Sequence, residues 1–316
     1  MFIRFYGFSE EPFSLDPDSQ NFFSTGKVEE AIDLLAHRIS EGDRFLLVTG
    51  ERGIGKTTLI RQIIPRLDPR INVVPVYQPP RTLDELLRVI LREVNVPLEN
   101  RGRSAMLSQL NEYVLRRSAD GGSLLLILDQ AQDLSSEIME ELRLLCSPDP
   151  RRPRLVQEVL VGDPEIERKL RSKELRQLQQ RIAVRVHLQP FNENESRRYI
   201  NHHLARAGSS LANTITPDGT ELICRYSKGV PRTINTLSYL SLSVGYVLSK
   251  KKVDENVIKE ATSLLDRQKP GLHERMKHSI KAFADHFEAS PWPIRLSYAL
   301  LVYSFTQLTV LYFCLR

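Results

Sequence analysis

The chain has 316 residues, 41% of them hydrophobic and 26% charged, which excludes a disordered polymer and leaves room for one large or two ordinary domains. Its net charge of +5 arises from 44 basic residues scattered among 39 acidic ones, so composition argues for neither nucleic acid nor a membrane surface as a partner. Cys146, Cys224 and Cys314 lie far apart and form no C-x-x-C pair, which argues against disulfides and a cysteine zinc site and makes a reducing compartment the default.

Met1 to Phe8 has no long apolar core, so no secretory signal is expected. The opening segment, 1–24, carries Phe5, Tyr6, Phe8, Phe13, Phe22 and Phe23 together with Pro12 and Pro17. It is too aromatic for a free tail and is expected to pack on the body. Thr25 to Ile39 reads as a helix, because Val28, Ala31, Ile32, Leu35 and Ile39 recur on one face. The apolar run Phe45 to Val48 then leads into Gly50-Glu51-Arg52-Gly53-Ile54-Gly55-Lys56-Thr57, a complete G-x-x-x-x-G-K-[ST] pattern, followed by the helical pattern Leu59 to Ile64. A strand that delivers a glycine-bent loop to a helix N-terminus wraps phosphates with backbone N–H groups where the helix dipole favours negative charge. The predicted nucleotide contacts are Gly50, Gly53, Ile54, Gly55, Lys56, Thr57 and Thr58. Lys56 is expected to reach the β/γ-phosphates and Thr57 to hold Mg²⁺.

Four further apolar runs follow, Val73 to Tyr77, Leu124 to Leu128, Val156 to Val161 and Ile182 to Leu188, with helical stretches between them. This alternation predicts a parallel sheet covered on both faces, an α/β core over 25–190. Leu124 to Leu128 ends in Asp129, the Walker B pattern, in which the acid orients Mg²⁺. After Gln189-Pro190-Phe191 the pattern is helical only, with Glu193 to Ala207, Pro217 to Ser227, Pro231 to Leu248 and Val253 to Leu265 forming a small bundle over 191–266. Residues 267–293 read as a polar linker. Leu296 to Leu315, within 294–316, carries no charge and as a helix would extend about 30 Å, one bilayer core. It reads either as a transmembrane helix or as a terminal helix buried in the protein or an oligomer. Lys277, Lys281 and Arg295 precede it and only Arg316 follows, so the positive-inside rule places the bulk of the chain in the cytoplasm. His202, His203 and His273 have no partner at metal-ligand spacing and are expected at the surface. Lys250-Lys251-Lys252 reads as a solvated turn or, functionally, as an anionic lipid contact.

Six stretches together resemble the AAA+ ATPases of the general secretion pathway protein A type. They are Gly7-Phe8 with Pro12-Phe13 and Pro17-Asp18, the P-loop, Leu128 to Leu134, Leu160 to Ile166, Gln180-Arg181-Ile182, and Gly229 to Asn235. The resemblance covers about residues 1–265 and implies a five-stranded parallel AAA+ core, a helical lid, bound ATP and Mg²⁺, and a ring or other homo-oligomer. It implies that Arg181 is an arginine finger completing a neighbouring subunit's site, with Arg176 as the alternative finger; a cation at a helix C-terminus is the plainer reading of Arg181. It also implies that Arg232 is the sensor 2 arginine of the lid, against an exposed surface arginine. The implied setting is the cytoplasmic side of a bacterial inner membrane, with a single-pass anchor at 294–316 and a partner from a secretion or envelope-assembly system.

Two positions depart from the family pattern. Relatives carry Glu after the Walker B Asp, and this chain carries Gln130, whose amide can orient a water but accepts a proton poorly. Relatives commonly carry Gln or Asn where this chain has Asp163, so carboxylate and amide have either exchanged places, or Asp163 merely caps the helix start at Pro164-Glu165. Slow hydrolysis with intact binding is the expectation. The rival readings are a DNA-dependent transposition-type ATPase, disfavoured by the terminal apolar segment and the lack of a basic stripe with interleaved aromatics, and a nucleotide-gated interaction module that does not hydrolyse ATP.

Overall fold

The computed structural model describes residues 2–14, 22–98, 102–145 and 156–267. The linker and the apolar segment 294–316 lie outside the described residues, as do Cys146, His273 and Cys314. Among the described residues, no helix is long and apolar enough to cross a membrane. The chain forms two compact units, one within Pro17–Pro190 and one that joins Met1–Asp16 to Phe191–Arg316.

Helix α1 (Phe2–Tyr6) opens the chain and belongs to the second unit. The first unit runs α2 (Gly26–Ser40), β1 (Phe45–Gly50), α3 (Lys56–Ile63), β2 (Ile71–Val76), α4 (Leu83–Glu93), α5 (Arg103–Ala119), β3 (Ser123–Leu128), α6 (Ser136–Leu145), β4 (Val156–Gly162), α7 (Glu165–Leu170), α8 (Arg176–Arg181) and β5 (Ile182–Leu188). Helix α2 starts where Thr25 Oγ1 accepts from the Val28 N–H, and its Ala31, Ile32, Leu35 and Ile39 are buried. The five strands pair in parallel in the order β2-β3-β4-β1-β5. Pro75, which offers no N–H to a ladder, sits on the edge strand β2.

Alternation along the strands divides the core in two. Phe45, Leu47, Leu124, Leu126, Leu128 and Leu160 pack with α4, α5 and α6, while Leu46, Val48, Leu125, Ile127, Val159 and Val161 pack with α2 and α3. Polar residues interrupt β4, where Gln157 and Glu158 are buried. The Gln157 amide donates to the Ile39 and Asp43 carbonyls at 2.8 and 2.9 Å, tying the turn between α2 and β1 to the sheet. This topology brings the C-terminal ends of β3, β4 and β1 side by side, the end of an open α/β sheet where ligands bind.

The second unit contains α9 (Glu193–Arg206), α10 (Leu211–Thr214), α11 (Pro217–Ser227), α12 (Pro231–Val247) and α13 (Glu255–Arg267). A reciprocal capping box between Asn192 and Glu195 starts α9. The short α10 is absent from the sequence reading, which has no periodicity to detect in four residues. Gly229, at φ 77°, is required between α11 and α12, because a Cβ there would collide with the Phe191 carbonyl.

The aromatic residues of the opening segment up to Phe13 pack within this second unit, while Phe22 packs against the α2–α3 side of the first unit's core. Phe2 meets Tyr239 edge-on at 5.4 Å, Phe5 meets Tyr246 at 5.3 Å, and the fully buried Phe13 lies 5.8 Å from the His203 ring. One surface expectation is corrected here. His203 is only 5% exposed, packed 4.5 Å from Tyr199, because its position on α9 faces the opening segment. Lys250-Lys251-Lys252 lies in the turn after α12 with Lys251 and Lys252 exposed, as the solvated-turn reading expects; Lys250 pairs with Asp254 at 2.6 Å, and Lys251 donates to the Phe5 carbonyl at 2.7 Å with its ammonium 3.9 Å over the Phe5 ring.

Candidate functional site

The P-loop joins β1 to α3 with two glycines in left-handed geometry, Gly53 at φ 82° and Gly55 at φ 103°. Gly55 heads α3, and no atom lies within 4 Å of where its Cβ would sit, so its backbone angle is what demands glycine. Gly50 is glycine for the opposite reason: a Cβ would come within 2.9 Å of Ile54 Cγ2 and 3.1 Å of Leu188. Ile54 is buried and anchors the loop, while Thr58 is half-buried on the first turn of α3. The first N–H groups of that turn have no partner within a helix and point along its positive dipole end.

Around this loop the strand ends deliver two polar pairs. Thr57 Oγ1 donates to Asp129 Oδ2 at 2.6 Å, which places a hydroxyl and a carboxylate oxygen together as hard donors suited to Mg²⁺. Lys56 Nζ donates to Asp163 Oδ1 at 2.6 Å, to the Gly50 carbonyl at 2.8 Å and to the Glu51 carbonyl at 3.2 Å. The Lys56 side chain is 10% exposed and that of Asp163 30%, so this ion pair is partly shielded from water. The helix-cap reading of Asp163 is not the role of its carboxylate. No side chain caps α7; the Asp163 main-chain carbonyl accepts from the Ile166 N–H, and the carboxylate faces Lys56.

Gln130 takes a left-handed backbone, φ 54° and ψ 38°, directly after β3. Its main-chain N–H donates to Asp129 Oδ1 at 2.8 Å, and its exposed side-chain amide donates to the Tyr77 carbonyl at 3.3 Å, on the β2 side. Gln130 and Asp163 therefore make their bonds in opposite directions across the sheet, one toward β2 and the other toward the P-loop.

Sequence reasoning missed two groups at the site. Gln132 Oε1 accepts from the Asp163 N–H at 3.0 Å, and a Cβ on Gly162 would come 2.8 Å from that oxygen. Lys169 on α7 donates to the Gln132 and Leu134 carbonyls, clamping the turn after Walker B to the helix after Asp163. Thr49, beside Gly162 and His187 in strand register, bonds His187 Nδ1 at 2.9 Å and Glu167 Oε1 at 3.2 Å. The signal for Gln132 was its place two residues after Gln130, whereas the Thr49 group needs the strand order.

The predicted arginines sit on α8 and α12. Arg181, at the end of α8, is partly buried and donates to the Arg143 carbonyl at 3.3 Å. Arg176, at the start of α8, is exposed. Arg232 is exposed in the first turn of α12, in the second unit. Among the described residues no cluster of His, Cys, Asp and Glu has the make-up of a metal site.

The family model for the AAA domain matches residues 38–170, which contain the P-loop, Asp129 and Asp163. General secretion pathway protein A of Aeromonas hydrophila is 32% identical over 254 residues, covering 80% of this chain and 46% of that protein. The chain thus spans about half the length of the curated relative it matches. Among solved structures, the ORC2 protein of Aeropyrum pernix superposes with a TM-score of 0.59 at 20% identity, over 79% of this chain and 69% of that chain. Cdc6p of Pyrobaculum aerophilum gives 0.61 at 16% identity, over 78% and 70%. These two likenesses bear on the fold, while the sequence matches carry the relationship. By these matches the chain carries an AAA domain and is related over 80% of its length to general secretion pathway protein A.

Proposed function

We propose that the chain binds ATP with Mg²⁺ and works as a membrane-anchored homo-oligomer in assembly of a bacterial secretion or envelope-export system, with slow hydrolysis. The observation that carries the nucleotide reading is the convergence of Lys56, the Thr57–Asp129 oxygen pair and the left-handed Gly55 at one helix N-terminus. This donor set fits the group: an ammonium and free helix N–H groups for phosphates, and two hard oxygens for a divalent cation. Lys56 with the loop N–H groups of Gly53 to Thr58 would hold the phosphates, and Thr57 and Asp129 would hold Mg²⁺. The cation, when bound, neutralises charge on the phosphate oxygens.

What this chain's own residues can do for hydrolysis is limited. The Gln130 side chain can accept a hydrogen bond from a water through Oε1, but it cannot take the water's proton. The tie of its amide to Tyr77 steadies it in that orienting role. Asp163 is the carboxylate on the adjacent strand end, held by Lys56. Two rates test this reading. Gln130→Glu is expected to raise ATP turnover at least about tenfold with little change in affinity, the size of a modest general-base contribution. Asp163→Asn is expected to lower a measurable parental rate if Asp163 serves as the base, and an untouched rate would leave Asp163 without that role.

Similarity to a general secretion pathway protein supports the secretion setting, and the uncharged run within 294–316 supports the anchor and an ATPase domain facing the cytoplasm. Removal of the chain from Leu296 onward is expected to release the protein from membranes on fractionation; retention there would sink the anchor. Arg181 would complete a neighbour's site, and Arg232 would read the γ-phosphate from the lid. Gln130 also favours a second reading, a nucleotide-gated interaction module without turnover, which a parental rate no faster than the uncatalysed one would support.

A further inference from the structure

We infer that Asp163 makes the P-loop discriminate against a γ-phosphate, so that the site prefers ADP to ATP. The inference rests on the nucleotide reading above and deepens it. An ammonium carries three N–H donors, and Lys56 aims them at three oxygens: Asp163 Oδ1 at 2.6 Å, Gly50 O at 2.8 Å and Glu51 O at 3.2 Å. A phosphate that takes Lys56 must therefore displace or share one of these acceptors. The two carbonyls belong to the loop itself and are neutral. Asp163 is the charged acceptor, and the only one of the three supplied from β4 across the sheet.

Asp163 is also held where it stands. Its N–H donates to Gln132 Oε1, Gln132 is fixed through its carbonyl by Lys169, and Gly162 lets Gln132 approach so closely that a Cβ there would come 2.8 Å from Gln132 Oε1. With the main chain pinned, the carboxylate can swing only about its own side-chain bonds, within reach of Lys56. A P-loop lysine serves the β- and γ-phosphates. A γ-phosphate on Lys56 is thus brought against a carboxylate in a partly shielded pocket, where like charges repel more strongly than in water. A nucleoside diphosphate ends one phosphate earlier and avoids most of that repulsion. An Asn at this position would carry no charge, so the preference belongs to the Asp163 carboxylate.

The test is equilibrium titration of the full chain with MgADP and with MgATP at a single ionic strength. The parent, Asp163→Asn and Asp163→Ser are compared, each verified as folded by its thermal unfolding. The parent is expected to bind ADP more tightly than ATP. Both variants are expected to gain about tenfold or more in ATP affinity and to change less than about threefold for ADP, so that the preference closes or reverses. Equal changes for the two nucleotides, or no change in either, would overturn the inference while leaving the site in place. If folded parent and variants bind neither nucleotide, the site reading itself fails and the inference falls with it.

Discussion

The strand ends around the P-loop and the contact between α9 and the opening segment both shield titratable groups from water, the first partly and the second almost fully, and they do so differently. At the strand ends the charges stay and are paired: Lys56 with Asp163, and the Asp129 carboxylate with the Thr57 hydroxyl and the Gln130 N–H. Beneath the opening segment the charge is given up. His203 lies among Phe13 and Tyr199, and burial, aided by the neighbouring His202 and Arg206, pushes its pKa down to about 4. Pairing keeps a site responsive to an incoming anion, whereas neutralisation makes a contact that serves packing. The first region is built for exchange and the second for attachment.

Three perturbations would sharpen that contrast, in falling order of effect. Phe13→Ala should cost about 4 kcal/mol of stability by emptying a fully buried aromatic site, measured by chemical unfolding, with nucleotide affinity retained. Loss of nucleotide affinity in a folded Phe13→Ala chain would break the separation of roles. The second perturbation is pH. The folded-state pKa of His203 lies below its unfolded value of 6.5, so the unfolded chain binds more protons between these limits. Stability from this group is fully present above pH 6.5, falls as pH drops toward 4, and levels off below. The shift from 6.5 to about 4 corresponds to a loss on the order of 3 kcal/mol, and His203→Phe should flatten that part of the profile. The third is Thr57→Ala. It should weaken nucleotide binding about tenfold in Mg²⁺ and much less in its absence, since it removes one of the two hard oxygens and leaves the lysine.

The sheet was legible because its strands are apolar runs of ordinary length ending in polar signals, and the P-loop because its spacing has a mechanical cause. Helix α11 was read to the residue, since Thr216 caps it, Pro217 opens it and the turn at Lys228-Gly229 closes it. The Lys56–Asp163 pair was not legible, because it joins residues 107 positions apart and depends on β4 lying beside β1. The burial of His203 was hidden for a similar reason: its cover comes from the opening segment, about 190 residues earlier in sequence. Periodicity reports the face of an element, and it is silent on which distant segment covers that face. The tie from Gln130 to Tyr77 likewise needs β2 beside β3, although Gln130 itself was singled out by its place after Asp129.

The central claim is that Lys56 and its loop form a nucleotide site, and calorimetric titration of the full chain with MgADP tests it most directly. The account predicts one saturable site per chain, with affinity reduced about 100-fold in Lys56→Ala, as expected when a partly buried, charge-assisted contact to phosphate is removed. Unchanged affinity in a folded Lys56→Ala chain, or no saturable binding by the parent, would contradict it.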